Sequence, residues 1–165
     1  MNIILTRPLN DTENLMQELF SLGHKIMHIP TLKIKNANLE KINIADYNAL
    51  VFTSSNAVRN LNVGGDKKNI RCFCVGTVTE KVARLSGFTK TISASGNVNA
   101  LKNLIINSKE LKKNDKLAYI CGDQITLELD RELEKEGFKV KKVINYFSEK
   151  ITSLNDASID LIKKY

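Results

Sequence analysis

Short β-branched runs alternate with helix-length stretches of spaced apolar residues, and this alternation restricts the fold more than any other feature of the chain. Ile3-Ile4-Leu5, Ala49-Leu50-Val51-Phe52, Arg71 to Val75, Thr89 to Ile92, Leu117 to Ile120 and Phe138 to Tyr146 read as strands or extended segments. Lys25 to Ile34 is also extended, with Pro30 inside it, which suits a sheet edge or a crossing point better than a central strand. Between these runs lie helical stripes. Leu15, Met16, Leu19, Phe20 and Leu22 follow a cap at Asn10 or Asp11 and end at Gly23. Ser54 to Leu61 forms a short helix, and Val78, Val82 and Leu85 stripe one that starts at Thr77 and ends at Gly87. Asn97 caps a helix carrying Val98, Leu101, Leu104 and Ile105; Ile125, Leu129 and Leu133 stripe another, closed by Gly137; and Ile159 to Tyr165 begins a last one. Strands alternating with helices predict an α/β fold with parallel sheets covered on both faces.

Ligands of such sheets bind beyond the carboxyl ends of the strands. Small polar residues occupy three of those ends: Thr53-Ser54-Ser55-Asn56, Gly76-Thr77-Val78-Thr79 and Cys121-Gly122-Asp123. Each lies where a helix begins, so open backbone N–H groups and the helix dipole favour an anion there. Ordinary helix capping uses the same residue types. Asn62 to Asn69, with Gly64-Gly65, is the stretch expected to be most flexible.

Composition narrows the chemistry. Neither G-x-x-x-x-G-K-[ST] nor G-x-G-x-x-G occurs, so no known nucleotide cradle is visible. The only histidines are His24 and His28, and neither a Ser-His-Asp set nor H-E-x-x-H can be built. Acid–base work would fall to a carboxylate, a lysine or a tyrosine. Cys72, Cys74 and Cys121 form no C-x-x-C pair; Cys72 and Cys74, two apart in a strand, share a face and read as buried thiols. No metal and no cofactor is expected. The net charge of +7 is consistent with solubility or with an anionic ligand. With no Trp, 6% aromatic residues and scattered lysines, nucleic acid is a poor candidate. No apolar run approaches the ~18 residues of a membrane helix, and no signal peptide is visible, so a cytoplasmic, non-membrane protein is expected.

Several segments resemble the uroporphyrinogen-III synthase family. Ile4-Leu5-Thr6-Arg7-Pro8 looks like its opening strand, and Phe52-Thr53-Ser54-Ser55-Asn56-Ala57-Val58 is similar to its F-T-S-x-x-A-V element. Val75-Gly76-Thr77-Val78-Thr79, followed by Gly87-Phe88, resembles its V-G-x-x-T helix start. Gly96-Asn97 before Ala100-Leu101 matches the next helix start, and Ala118 to Asp123, then Leu133, Gly137 and Tyr146, matches the run into a tyrosine. Each piece is short, but their order and spacing cover residues 3 to 147.

The resemblance implies two small parallel α/β domains joined by two extended crossings at Thr31 to Lys35 and Asn145 to Ile151. Residues 1–33 with 151–165 would make part of the first domain and residues 36–145 the second. The family then adds a second F-T-S-type strand and a second G-x-x-T turn. Tyr165 precedes both, so the first domain is expected to be incomplete and the 165 residues alone inactive. The implied activity is cyclisation of hydroxymethylbilane, a polyanionic linear tetrapyrrole, to uroporphyrinogen III by a cofactor-free lyase, monomeric when complete. Tyr146 would be the acid that protonates the leaving hydroxyl, with Thr79 a nearby hydroxyl. Arg7, Thr53, Ser54, Ser55, Asn56, Gly76, Thr77, Gly96, Asn97, Gly122 and Asp123 would hold the carboxylates. Tyr146 as a strand-end residue and Arg7 as a surface cation are the plainer readings. A non-catalytic module binding a phosphorylated ligand, or an inactive truncated synthase that self-associates, are the competing ones.

Overall fold

A computed structural model describes residues 1–37, 42–64, 66–67 and 69–164. In chain order the strands are β1 (Asn2–Leu5), β2 (Lys25–His28), β3 (Leu32–Asn36), β4 (Ile42–Asn43), β5 (Ala49–Phe52), β6 (Val63–Gly64), β7 (Arg71–Cys74), β8 (Lys90–Ser93), β9 (Lys116–Gly122) and β10 (Lys139–Lys150). The helices are α1 (Leu9–Ser21), α2 (Ser55–Arg59), α3 (Thr77–Leu85), α4 (Val98–Ile106), α5 (Leu129–Lys135) and α6 (Asp156–Lys163). The chain divides into two compact units: residues 1–35 with 148–165, and residues 36–147.

In the first unit β1 and β2 pair in parallel, Asn2 against Lys25 through Leu5 against His28, with α1 between them in sequence. Helix α1 starts at Leu9, behind Pro8 as its cap residue, and no side chain caps it, so neither Asn10 nor Asp11 plays the expected part. Pro8 fits there because its fixed φ leads into a helix and its missing N–H is not needed. The extended run at Lys25–Ile34 breaks into β2 and β3 around Pro30, which cannot donate to a ladder. Asn155 caps α6, accepting a 2.8 Å hydrogen bond from the Ser158 N–H. Tyr165, read as part of this last helix, lies outside the described residues.

The principal sheet has the strand order β3-β10-β9-β5-β7-β8. The pairs β10–β9, β9–β5, β5–β7 and β7–β8 are all parallel. A two-residue parallel pair, β4 with β6, forms a separate small sheet, so part of the Asn62–Asn69 stretch is strand; Gly65 and Lys68 lie outside the described residues. Period-two alternation gives the principal sheet two buried faces. Ala49, Val51, Phe73, Leu117, Tyr119 and Cys121 pack with Leu101 and Ile105 of α4 and Leu129 and Leu133 of α5. Leu50, Phe52, Cys72, Cys74 and Ile120 point the other way, where the rings of Phe52 and Phe88 meet at 6.0 Å. All three thiols are buried, and Cys72 and Cys74 share that second face.

Two helices differ from their stripes. In α3 the buried residues are Thr79 and Ala83, while Val78 and Leu85 are 67% and 80% exposed. The 79/83 face is made of small side chains, so the helix backbone can sit close to its neighbours while the larger residues turn outward. Helix α5 begins only at Leu129, leaving Ile125 in the loop that follows β9.

Candidate functional site

The carboxyl ends of β5, β7, β8 and β9 carry the small polar residues singled out by the sequence, and the structure sorts them. Ser54 caps α2, its hydroxyl accepting from the Asn56 N–H at 3.1 Å. Ser55 and Asn56 are buried in the first turn of α2, and the Arg59 guanidinium donates to both side chains at 3.0 Å. Asn97 caps α4, accepting from the Ala100 N–H at 2.8 Å. Those four side chains are committed to local structure. Helix α3 differs: Gly76 is its cap residue and no side chain caps it. Glu80, in its first turn, instead turns its carboxylate to Ser93, at 2.6 Å, Thr91 and Arg84. The hydrogen bond from Ser93, then that from Arg84, hold the Glu80 carboxyl below the usual glutamate range. Gly76 and Gly96 lie so close that a Cβ on Gly76 would sit 3.3 Å from the Gly96 Cα. That approach brings the starts of α3 and α4 together, with the exposed Thr77 at the first helical position.

Four of the expected residues line one cavity of about 160 Å³: Thr53, Ser54, Gly122 and Tyr146, together with Val98, Tyr119, Gln124, Ile125, Thr126 and Leu127. Tyr146 pairs with Gly122 in the β10–β9 ladder, and its ring lies directly over that glycine. Any side chain at residue 122 would collide with it, since a Cβ there would be 2.5 Å from the ring. The Asp123 N–H donates to the Tyr146 carbonyl at 3.2 Å, closing the strand ends together. Tyr119 reaches the cavity from the core, its phenol oxygen 3.4 Å from the Thr53 hydroxyl. Burial pushes the Tyr119 phenol well above the ordinary tyrosine range, so it stays neutral and can donate or accept. The Lys142–Glu128 ion pair, at 2.9 Å, ties the end of the 124–128 loop to β10.

No carboxylate, lysine, arginine or histidine is among the residues that line this cavity. It offers hydroxyls, two phenols and an amide, which are hydrogen-bond donors and weak acids but not a nucleophile with an adjacent base. Among the described residues no group of His, Cys, Asp and Glu could hold a metal ion. A wider groove of about 590 Å³ passes Lys116, Phe138, Lys139 and Val140. It lies at the amino ends of β9 and β10, the edge away from these strand–loop junctions.

A family model described as uroporphyrinogen-III synthase HemD matches residues 13–164. The chain belongs to the uroporphyrinogen-III synthase family. A search of curated proteins returned no significant match. Among solved structures, uroporphyrinogen-III synthetase from Helicobacter pylori 26695 is similar at a TM-score of 0.57 and 20% identity over 84% of this chain and 61% of its own. A mutant uroporphyrinogen III synthase from the extremely thermophilic bacterium Thermus thermophilus is similar at 0.53 and 14% identity, over 92% of this chain and 64% of its own. The likeness extends to the α/β fold. The chain thus spans a little over three fifths of the length of these synthases.

The other residues expected at the site lie apart from the cavity lining. Thr79 is buried in α3, only 4% exposed. Gly76, Thr77, Gly96 and Asn97 form the neighbouring α3–α4 start, and the Asp123 carboxylate accepts from the Gln124 amide at 3.1 Å. Arg7 belongs to the first unit, where its carbonyl accepts a 2.8 Å hydrogen bond from the His28 Nε2. Sequence reasoning passed over Tyr119, the 124–127 loop and Asn145. Alternation along β10 signals the last of these, because it puts the polar Asn145 on the same face as the buried Val143.

Proposed function

We propose that this chain serves uroporphyrinogen-III synthesis: it takes hydroxymethylbilane, a carboxylate-rich linear tetrapyrrole, and directs its closure with the last pyrrole inverted and water lost. The observation that carries the reading is the Tyr146 ring seated over Gly122 at a cavity of neutral hydroxyl and phenol groups. The chemistry asks for little more. An electron-rich pyrrole expels the hydroxyl once a weak acid delivers a proton, and the phenol of Tyr146 is such an acid. The remaining task is to hold a flexible chain in the conformation that closes with inversion. In support, the Thr53 hydroxyl and the backbone N–H groups at the start of α3, which no side chain caps, offer donors to carboxylates, and the helix dipole favours negative charge there. A net charge of +7 draws a polyanion toward the protein. The same reading makes the protein a cytoplasmic lyase that needs no cofactor.

The test has two parts. Titration with the bilane should perturb the backbone amide signals of Thr53, Ser54, Gly122 and Tyr146; absence of any perturbation would refute the site. The isomer ratio of the product is then measured, because the bilane closes unaided to the symmetrical isomer. Enrichment of the inverted isomer demonstrates turnover. Binding without enrichment refutes catalysis by the 165 residues and leaves a binding module.

A further inference from the structure

We infer that Asn145 is a positioning residue for Tyr146, acting through an irregularity it fixes in β10. The inference rests on reading Tyr146 as the proton donor of the site. In β10 the ladder runs Val143 against Ile120 and Ile144 against Cys121, then resumes with Tyr146 against Gly122. Asn145 is the extra residue, the signature of a β-bulge, which re-aims the side chains after it. The burial pattern records the change: Val143 is buried, Ile144 exposed, and then Asn145 and Tyr146 are buried in succession. A regular strand would have sent Asn145 and Tyr146 to opposite faces and Tyr146 back to the side of Ile144.

Asn145 is held in this place by its side chain. Only 2% exposed, its amide Nδ2 donates to the Ala57 carbonyl at 2.7 Å. Ala57 lies in the middle of α2, so the bond ties β10 to the helix that follows β5, with β9 between those two strands in the sheet. The Asn145 carbonyl accepts from the Ala37 N–H at 3.0 Å, fixing the backbone of the extra residue as well. The Asn145 Oδ1 is buried without a partner among the described residues. Packing alone would be served better by an apolar side chain of that size, which leaves no buried acceptor unpaired. The directional bond to Ala57 is what the amide adds. On the far side, Gly122 leaves the space into which the bulge throws the ring.

The experiment uses the whole chain with ring-labelled tyrosine, the Tyr146 signals being assigned by their loss in Tyr146→Phe. The native chain should show a cross-peak between the Tyr146 ring and the Gly122 α-protons. Asn145→Ala should lose it while the Tyr119 signals stay in place. Asn145→Asp keeps the volume but offers only acceptors when ionised. It should lose the cross-peak at neutral pH and regain it on acidification, when the protonated carboxyl can donate to the Ala57 carbonyl. Retention of the cross-peak in Asn145→Ala, or a signal in Asn145→Asp that matches the native one at every pH, would overturn the proposal. Should Asn145→Ala not fold, the native chain decides: the Asn145 amide protons should exchange with solvent more slowly than those of exposed asparagines, and equal exchange would overturn it. Undiminished turnover by Tyr146→Phe would remove the acid role alone and leave the positioning result standing.

Discussion

Substituting Gly122 by alanine probes the site at its tightest point. The added Cβ would stand 2.5 Å from the Tyr146 Cζ, 2.6 Å from Cε2 and 2.8 Å from the phenol oxygen. Carbon atoms rest at about 3.5–4.0 Å, so the overlap is roughly 1 Å over three atoms. Gly122 is not among the glycines with positive φ, so alanine meets no backbone strain and the whole effect is steric. Its ladder with β10 restrains the backbone, leaving the ring to move. Overpacking of this kind costs about 1–3 kcal/mol. For a chain of this size each kcal/mol lowers the melting temperature by about 2–4 °C, so a fall of roughly 4–8 °C is expected at the centre of the range. Thermal melts of Gly122→Ala, Tyr146→Ala and the double variant complete a cycle. The alanine at 122 should cost almost nothing once the ring is gone, giving a coupling of about 1–3 kcal/mol. Tyr146→Phe should not relieve the clash, since Cζ and Cε2 remain. A Gly122→Ala chain that melts like the native one, or one equally destabilised without the ring, would show that Tyr146 does not lie over Gly122.

Three other outcomes are expected. In a version that also carries the segments the family adds after this run, Tyr146→Phe should slow formation of the inverted isomer by ~10²–10⁴-fold with bilane binding nearly unchanged; an unchanged rate would leave Tyr146 a structural residue. Glu80→Gln should lose about 1 kcal/mol at neutral pH, because charge-assisted bonds from Ser93 and Arg84 become neutral ones. The folded carboxyl is held below its unfolded value, so the native chain's advantage is complete above about pH 4.3 and vanishes as pH falls through the lower folded value; urea melts showing a pH-independent difference would refute this. Burial pushes the Cys121 thiol up to about 11 and that of Cys74 to about 12, and moves Cys72 the same way, so no thiol should react with a disulfide reagent at pH 8 until the chain is unfolded.

The alternation of β-branched runs with spaced apolar residues was enough to imply parallel strands with helices on both faces. Whether a strand is buried on both sides depends on its own composition, and Ala49–Phe52 and Leu117–Ile120 are apolar at every position. The same local logic reached the cap at Asn97, which depends only on a residue three positions onward. The polar residues at the strand ends were legible as a class, because the fold puts every such loop on one edge. Which of them share a cavity was not. That depends on contacts between residues far apart in sequence: Thr53 with Tyr119, Tyr146 with Gly122, Asn145 with Ala57. The bulge at Asn145 leaves no mark in a period-two pattern except a polar residue on an apolar face, and the extra residue is visible only once β9 supplies the ladder against which it is counted. Likewise α3 turns Thr79 and Ala83 inward instead of Val78 and Leu85, because the closeness of its neighbours, and not hydropathy, chooses its buried face. Local propensity and pattern are carried by the chain, whereas the aim of a side chain at a strand end is set by the partner strand and the helix packed across it.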